Sequence, residues 1–224
     1  MRKYLLHVLI VSFVFLLAPT VHVAAFADKW LEEKKEKVRK NPDDAKAHYN
    51  LGNAYGKSGK YKEAIEAYKQ AIRIDPDFAW AHCNLANIYF LRGKYKEAFE
   101  EYKQAIRIDP DSAGAHVGLG ATCTISAKYK EAIESYKQAI RLDPDYADAH
   151  CGLGLAYNLL SMWKEAIKSF KQAVKIDPDF ADAHYNLGSV YSYLSDRDSA
   201  LEQYKILKNL DTELANKLFN AIYR

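Results

Sequence analysis

Residues 52–58 read GNAYGKS, and Gly-Lys-Ser is how a phosphate-binding loop closes. Such a loop needs G-x-x-x-x-G-K-[ST], whose four intervening residues let backbone N–H groups wrap the phosphates while the lysine reaches them. Gly52 and Gly56 are one residue too close for that. No strand precedes them, and the segment one internal period later reads ANIYFLR, so Gly56 and Lys57 belong to the end of a helix and its turn. GLGATC from Gly118 and GLGLAY from Gly152 fail as dinucleotide loops for the same reason and read as helix-packing glycines.

Five evenly spaced histidines, His48, His82, His116, His150 and His184, raise the question of a metal. Packed helices lie about 8–10 Å apart, whereas ligands about 2 Å from a zinc lie within about 4 Å of one another. The histidines therefore read as amphipathic core residues. By the same spacing Cys83 and Cys151, two periods apart, stand roughly 20 Å from each other, beyond the ~4.4–6.8 Å between Cα atoms that a disulfide needs. With Cys123 they form no C-x-x-C pair and are expected as free thiols or small apolar groups. No Ser-His-acid set, H-E-x-x-H helix or isolated carboxylate pair stands out, so no catalytic residue, metal or cofactor is assigned and the chain is not read as an enzyme.

The spacing itself is the larger signal. Pro42, Pro76, Pro110, Pro144 and Pro178 recur every 34 residues, as do Ala64, Ala98, Ala132, Ala166 and Ala200, which defines an internal repeat. YKEAIEAYKQAIRIDPD from Tyr61 returns almost unchanged from Tyr95 and from Tyr129. Each period predicts two helices. His48, Leu51, Gly52 and Tyr55 share one face of the first; Ala64, Ile65, Tyr68, Ala71 and Ile72 share one face of the second, with Lys, Glu, Gln and Arg outside. Gly59 or its neighbours turn the chain between them, and Asp-Pro-Asp ends the pair because proline lacks the N–H that a helix interior requires. Small Gly52 and Ala64 allow close approach, and large Tyr68 fills the space beside them.

Two antiparallel helices every 34 residues resemble the tetratricopeptide-repeat family. His48 stands at the family's tryptophan-type position, followed by Leu51-Gly52, Tyr55, Ala64, Tyr68, Ala71 and Pro76; Ala86, Cys123, Leu207 and Thr212 depart from the pattern in later units. The resemblance implies an all-α, right-handed superhelical solenoid of five units, 45–78, 79–112, 113–146, 147–180 and 181–214. A stack of this kind needs capped ends. Leu214, Leu218 and Ile222 predict a closing helix over 213–224, and 28–44, with Trp30, Leu31 and Val38 among EEKKEKVRK, is expected as a charged capping half-unit or a linker.

The first 27 residues differ in kind. Arg2 and Lys3 precede an apolar run from Leu5 to Ala18, and Val23 to Ala27 offers small residues in the A-x-A arrangement, the layout of a secretory signal peptide cleaved after Ala27. The alternative is a retained inner-membrane anchor, and the location is accordingly periplasmic or secreted, or anchored. Removing 1–27 takes away no acidic residue and lowers the formal charge from +3 to +1, which leaves no footprint for nucleic acid.

Function is then expected on a second stripe of the first helices, Lys46, Tyr49, Asn50 and Asn53 in unit one, which continues through Trp80, Cys83, Asn84, Asn87, Phe90 and Leu91, then Val117, Ala121 and Ile125, then Cys151, Leu155 and Leu159, and ends at Tyr185, Asn186 and Tyr193. In the family that stripe lines the concave face, where peptides or partner helices lie, so the resemblance implies a protein partner and no small-molecule substrate. Tyr49, Gly114 and Gly118 occupy the places where a carboxylate clamp has basic residues. Asn50, Asn84 and Asn186 are similar to the asparagine ladder of O-linked N-acetylglucosamine transferases, interrupted at Gly118 and Gly152. The expected role is an exported interaction scaffold, with a membrane-anchored subunit as the alternative.

Overall fold

The computed structural model describes residues 21–223, and its described residues form twelve α-helices and no strand. Helix α1 spans Val21–Lys40. Five pairs follow: α2 (Ala45–Lys57) with α3 (Tyr61–Ile74), α4 (Ala79–Leu91) with α5 (Tyr95–Ile108), α6 (Ala113–Ile125) with α7 (Tyr129–Leu142), α8 (Ala147–Leu159) with α9 (Trp163–Ile176), and α10 (Ala181–Tyr193) with α11 (Arg197–Leu210). Helix α12 covers Thr212–Ile222. The apolar run before residue 21 lies outside the described residues, and the expected cleavage point after Ala27 falls within α1. No helix among the described residues is long and apolar enough to cross a membrane. The chain divides into two compact units between Thr122 and Cys123, inside α6.

Each pair is punctuated by local chemistry. The first helix ends where an N–H five residues on returns to its carbonyl, as Lys60 does to Tyr55 (2.9 Å) and Met162 to Tyr157 (2.9 Å), which satisfies an otherwise orphaned group. That closure puts the residue before the donor in the left-handed region: Gly59 and Gly93 in the first two pairs, but Ala127, Ser161 and Ser195 in the last three. In the first four pairs the second helix ends at Asp-Pro-Asp, whose first carboxylate accepts the N–H of the third residue, as Asp75 does from Asp77 (3.2 Å) and Asp143 from Asp145 (3.1 Å), an Asx-turn.

The repeating histidine belongs to this joint. Each Nε2 lies against the carbonyl of the proline six residues earlier: His48 on Pro42 (2.9 Å), His82 on Pro76 (3.1 Å), His116 on Pro110 (3.0 Å), His150 on Pro144 (2.9 Å) and His184 on Pro178 (3.0 Å). Only His82 and His184 are buried. The reading of all five as core residues is thus corrected: their shared task is to clip the start of a first helix to the turn before it.

Packing follows the small-against-large rule. A Cβ on Gly52 would stand 2.6 Å from the Tyr68 ring, one on Gly118 2.3 Å from Tyr102, one on Gly152 2.4 Å from Tyr136 and one on Gly154 2.7 Å from Phe170. Between Val21 and Thr122 the core is built from Ala64, Tyr68, Leu85, Ile88, Tyr89 and Tyr102. At its start Leu31 of α1 is buried against Leu51, Ala54 and Ala67. From Cys123 onward the core is Cys151, Leu155, Phe170, Leu187, Val190 and Tyr191, and Leu218 of α12 is buried with Leu207 and Ala215.

Candidate functional site

In residues 21–122 the candidate stripe lies on α2, α4 and the part of α6 that carries Val117 and Ala121. Lys46 and Trp80 hold the same repeat position and are both exposed, Trp80 to 67%. Behind them the asparagines face inward. The Tyr68 hydroxyl donates to Asn53 Oδ1 (2.7 Å), and Asn84 Nδ2 donates to the same oxygen (2.9 Å) and to the Tyr49 hydroxyl (3.2 Å). Asn87 Nδ2 reaches Asn84 Oδ1 (3.4 Å), and the Tyr102 hydroxyl donates to Asn87 Oδ1 (2.5 Å). Tyr49 stacks against Phe78 at 5.0 Å between centroids, and Phe90 meets Tyr95 edge-on at 5.6 Å. The stripe is therefore part of the packing: Tyr49, Asn53, Asn84 and Asn87 support the rings beneath them, and Asn50, Cys83, Leu91 and Val117 are half-buried beside them. Burial raises the pKa of the Cys83 thiol to about 11, which keeps it protonated and weakly nucleophilic.

Ala121 is buried, a correction to its placement on a binding surface. In residues 123–223 the correction is larger. Cys151, Leu155 and Asn186 are buried, with Cys151 and Leu155 inside the core of α8, α9 and α10. The reason is that a first helix in a stack has neighbours on two sides, so its second stripe packs as well. The Asn186 Nδ2 is enclosed without a hydrogen-bond partner. Ile125, Leu159 and Tyr185 are half-buried, while Tyr193 is 70% exposed and stacks on Trp163 at 4.7 Å. All three cysteines are free thiols.

At the position held by Lys46 and Trp80, this region carries Asp148 and Asp182. Partial burial raises the Asp182 pKa to about 6, reinforced by the charges of Asp211 and Asp148 and opposed by Lys217.

The sequence reading missed the hydroxyl–amide pairs, although a signal for them existed. Fifteen residues before the second-helix aromatic stand Asn53 for Tyr68 and Asn87 for Tyr102, but Ala121 for Tyr136, Leu155 for Phe170 and Ser189 for Tyr204. The hydroxyl–amide pairing thus belongs to the first two pairs, and the bare Phe170 ring meets a leucine.

Comparison with known proteins agrees with this architecture. A TPR repeat model matches residues 57–91, 86–123, 126–161 and 160–194, and tetratricopeptide-repeat models match 38–66 and 181–211. Among solved structures, YrrB, described as a TPR protein with an unusual peptide-binding site, is similar with a TM-score of 0.68 and 26% identity, covering 85% of this chain and 99% of its own. MamA is similar with a TM-score of 0.66 and 28% identity, covering 74% and 97%. The pilF protein of Pseudomonas aeruginosa shares the fold at 21% identity, with a TM-score of 0.68 over 80% of this chain and 87% of that one. No curated protein matches the sequence. With the repeat model matched over most of its length and helix pairs returning every 34 residues, the chain belongs to the tetratricopeptide-repeat family.

Proposed function

We propose that the chain is a non-catalytic interaction scaffold and that the face of α2 and α4 around Trp80 holds an extended peptide segment of another protein. The observation that carries this is Trp80 itself, two-thirds exposed at a repeat position where the other units place Lys46, Gly114, Asp148 and Asp182. The fold does not require an aromatic there, and an exposed tryptophan that becomes desolvated on contact is the kind of residue that dominates binding energy. Asn50 and the Nδ2 of Asn53 make no side-chain hydrogen bond among the described residues and lie on the same face to receive backbone groups of the segment. The likeness to YrrB supports a peptide as the partner class.

Panning a displayed random-peptide library on the chain tests the reading. Enriched peptides are expected to lose about thirty-fold or more in affinity, ~2 kcal/mol, for Trp80→Ala. Exchanging the outward charges Lys69 and Arg73 leaves binding unchanged. Equal binding by wild type and Trp80→Ala would remove the site from this face. Residues 1–27 support a further proposal, export with a role in assembling an envelope or exported complex; intact mass of the exported protein beginning at Asp28 supports it, and a mass retaining 1–27 favours the membrane-anchored alternative.

A further inference from the structure

Among the five clipped histidines, His184 and His82 have an oxygen at each ring nitrogen, and in His82 one of the two is a carboxylate. Nε2 faces the Pro76 carbonyl at 3.1 Å, and Nδ1 faces Glu101 Oε2 on α5 at 2.6 Å. A neutral imidazole has one N–H and can serve only one of them; an imidazolium serves both. The matching place to Glu101 holds Ala67 in the first pair, beside an open recess of about 390 Å³ lined by His48 and Leu51. It holds Ser135 and Ser169 in the third and fourth pairs, and both hydroxyls turn back to their own helix at 2.9 Å. In the fifth pair it holds Gln203, whose Oε1 faces His184 Nδ1 at 2.7 Å. Only the second pair offers a carboxylate.

We propose that protonated His82 is a proton-operated clamp, joining the turn before α4, the first turn of α4 and the middle of α5, and that it sets the position of Trp80. The regulatory part rests on Trp80 being the binding residue proposed above. Trp80 lies two residues before His82 on the same helical turn, and the His82 N–H closes that turn on the Phe78 carbonyl at 3.3 Å. The charged groups about the ring are Glu101 and Arg107 on α5, and Arg107 also pairs with Asp77 of the turn at 3.5 Å. Burial alone would lower the histidine pKa, and Arg107 acts in the same direction; the Glu101 hydrogen bond, the Pro76 carbonyl and the Glu101 charge outweigh them, and the net direction is upward. The clamp is therefore fully closed below the ordinary value of 6.5 and is lost as pH rises through the raised folded value. On losing its proton the ring releases one of its two partners, and the α4 start loosens.

Imidazole and indole NMR on the full chain tests this without a partner. The His82 ring is expected to titrate above 6.5, and the Trp80 Nε1–H resonance, assigned with Trp80→Phe, is expected to shift with the same midpoint. Glu101→Gln, which puts beside His82 the side chain that Gln203 places beside His184, is expected to return the His82 midpoint to ordinary values or below and flatten the Trp80 response, with unchanged helical content. An ordinary His82 midpoint in the wild type, or a Trp80 resonance indifferent to it, overturns the clamp. Peptides that ignore Trp80 would sink the binding site while a coupled titration still upheld the clamp.

Discussion

The faces of α2 with α4 and of α8 with α10 derive from the same repeat positions and do different things. In the first, amides answer hydroxyls, Asn53 to Tyr68 and Asn87 to Tyr102, and Trp80 stands clear of the network. In the second, Leu155 and Cys151 pack with Phe170, and Asp182 takes the place of Trp80. The turns differ too, glycine at Gly59 and Gly93 but serine at Ser161 and Ser195. One backbone thus accepts two chemistries at this contact, a hydroxyl met by an amide in the first and a bare ring met by a leucine in the second.

The contact of Leu155 with Phe170 gives the largest expected effect. Phe170→Tyr places a hydroxyl where Leu155 has no acceptor to give it, and should cost about 1–3 kcal/mol. Adding Leu155→Asn rebuilds the Asn53–Tyr68 pair and should recover much of the loss. Denaturant titration of both single variants and the double one measures the coupling; additive losses would mean that the two halves differ in more than this pair.

A smaller effect concerns charge. Asp182 has its folded pKa raised to about 6 from 3.8, so ionising it costs native stability above pH 6, and the cost fades as pH falls through 6 toward 3.8. Asp182→Asn should therefore melt higher than wild type at pH 8, by an amount equivalent to ~1 kcal/mol, with the gap closing in acid. A gap that widens in acid would contradict the assignment.

The smallest effect makes the later turns resemble the earlier ones. Ala127 and Ser161 hold φ of 60° each, where a side chain crowds the backbone. Ala127→Gly and Ser161→Gly should each stabilise by about 0.5 kcal/mol, after the entropy of glycine in the unfolded chain is subtracted. Gly93→Ala should do the reverse, and thermal melts of the three variants check the signs.

Most of the fold is visible in the sequence because its cause is periodic: proline, alanine and glycine return at fixed places, and each has a backbone or packing reason to be there. The candidate site was less legible. A helical stripe on Leu155 and Cys151 looks the same whether it faces water or a second neighbouring helix, and only the stack decides. Trp80 could be singled out because its repeat position carries Lys, Gly or Asp elsewhere. The histidine clips were invisible because they join a ring to a turn carbonyl, a relation with no helical period.

The hydrogen bonds that organise these helices are also short in chain terms. The bond from Asn84 to Tyr49 spans 35 residues and is the longest described above. Loop closure on that scale is fast and entropically light. Refolding can therefore begin at any helix pair and spread to its neighbours, and a damaged pair should fray the array locally before the rest gives way.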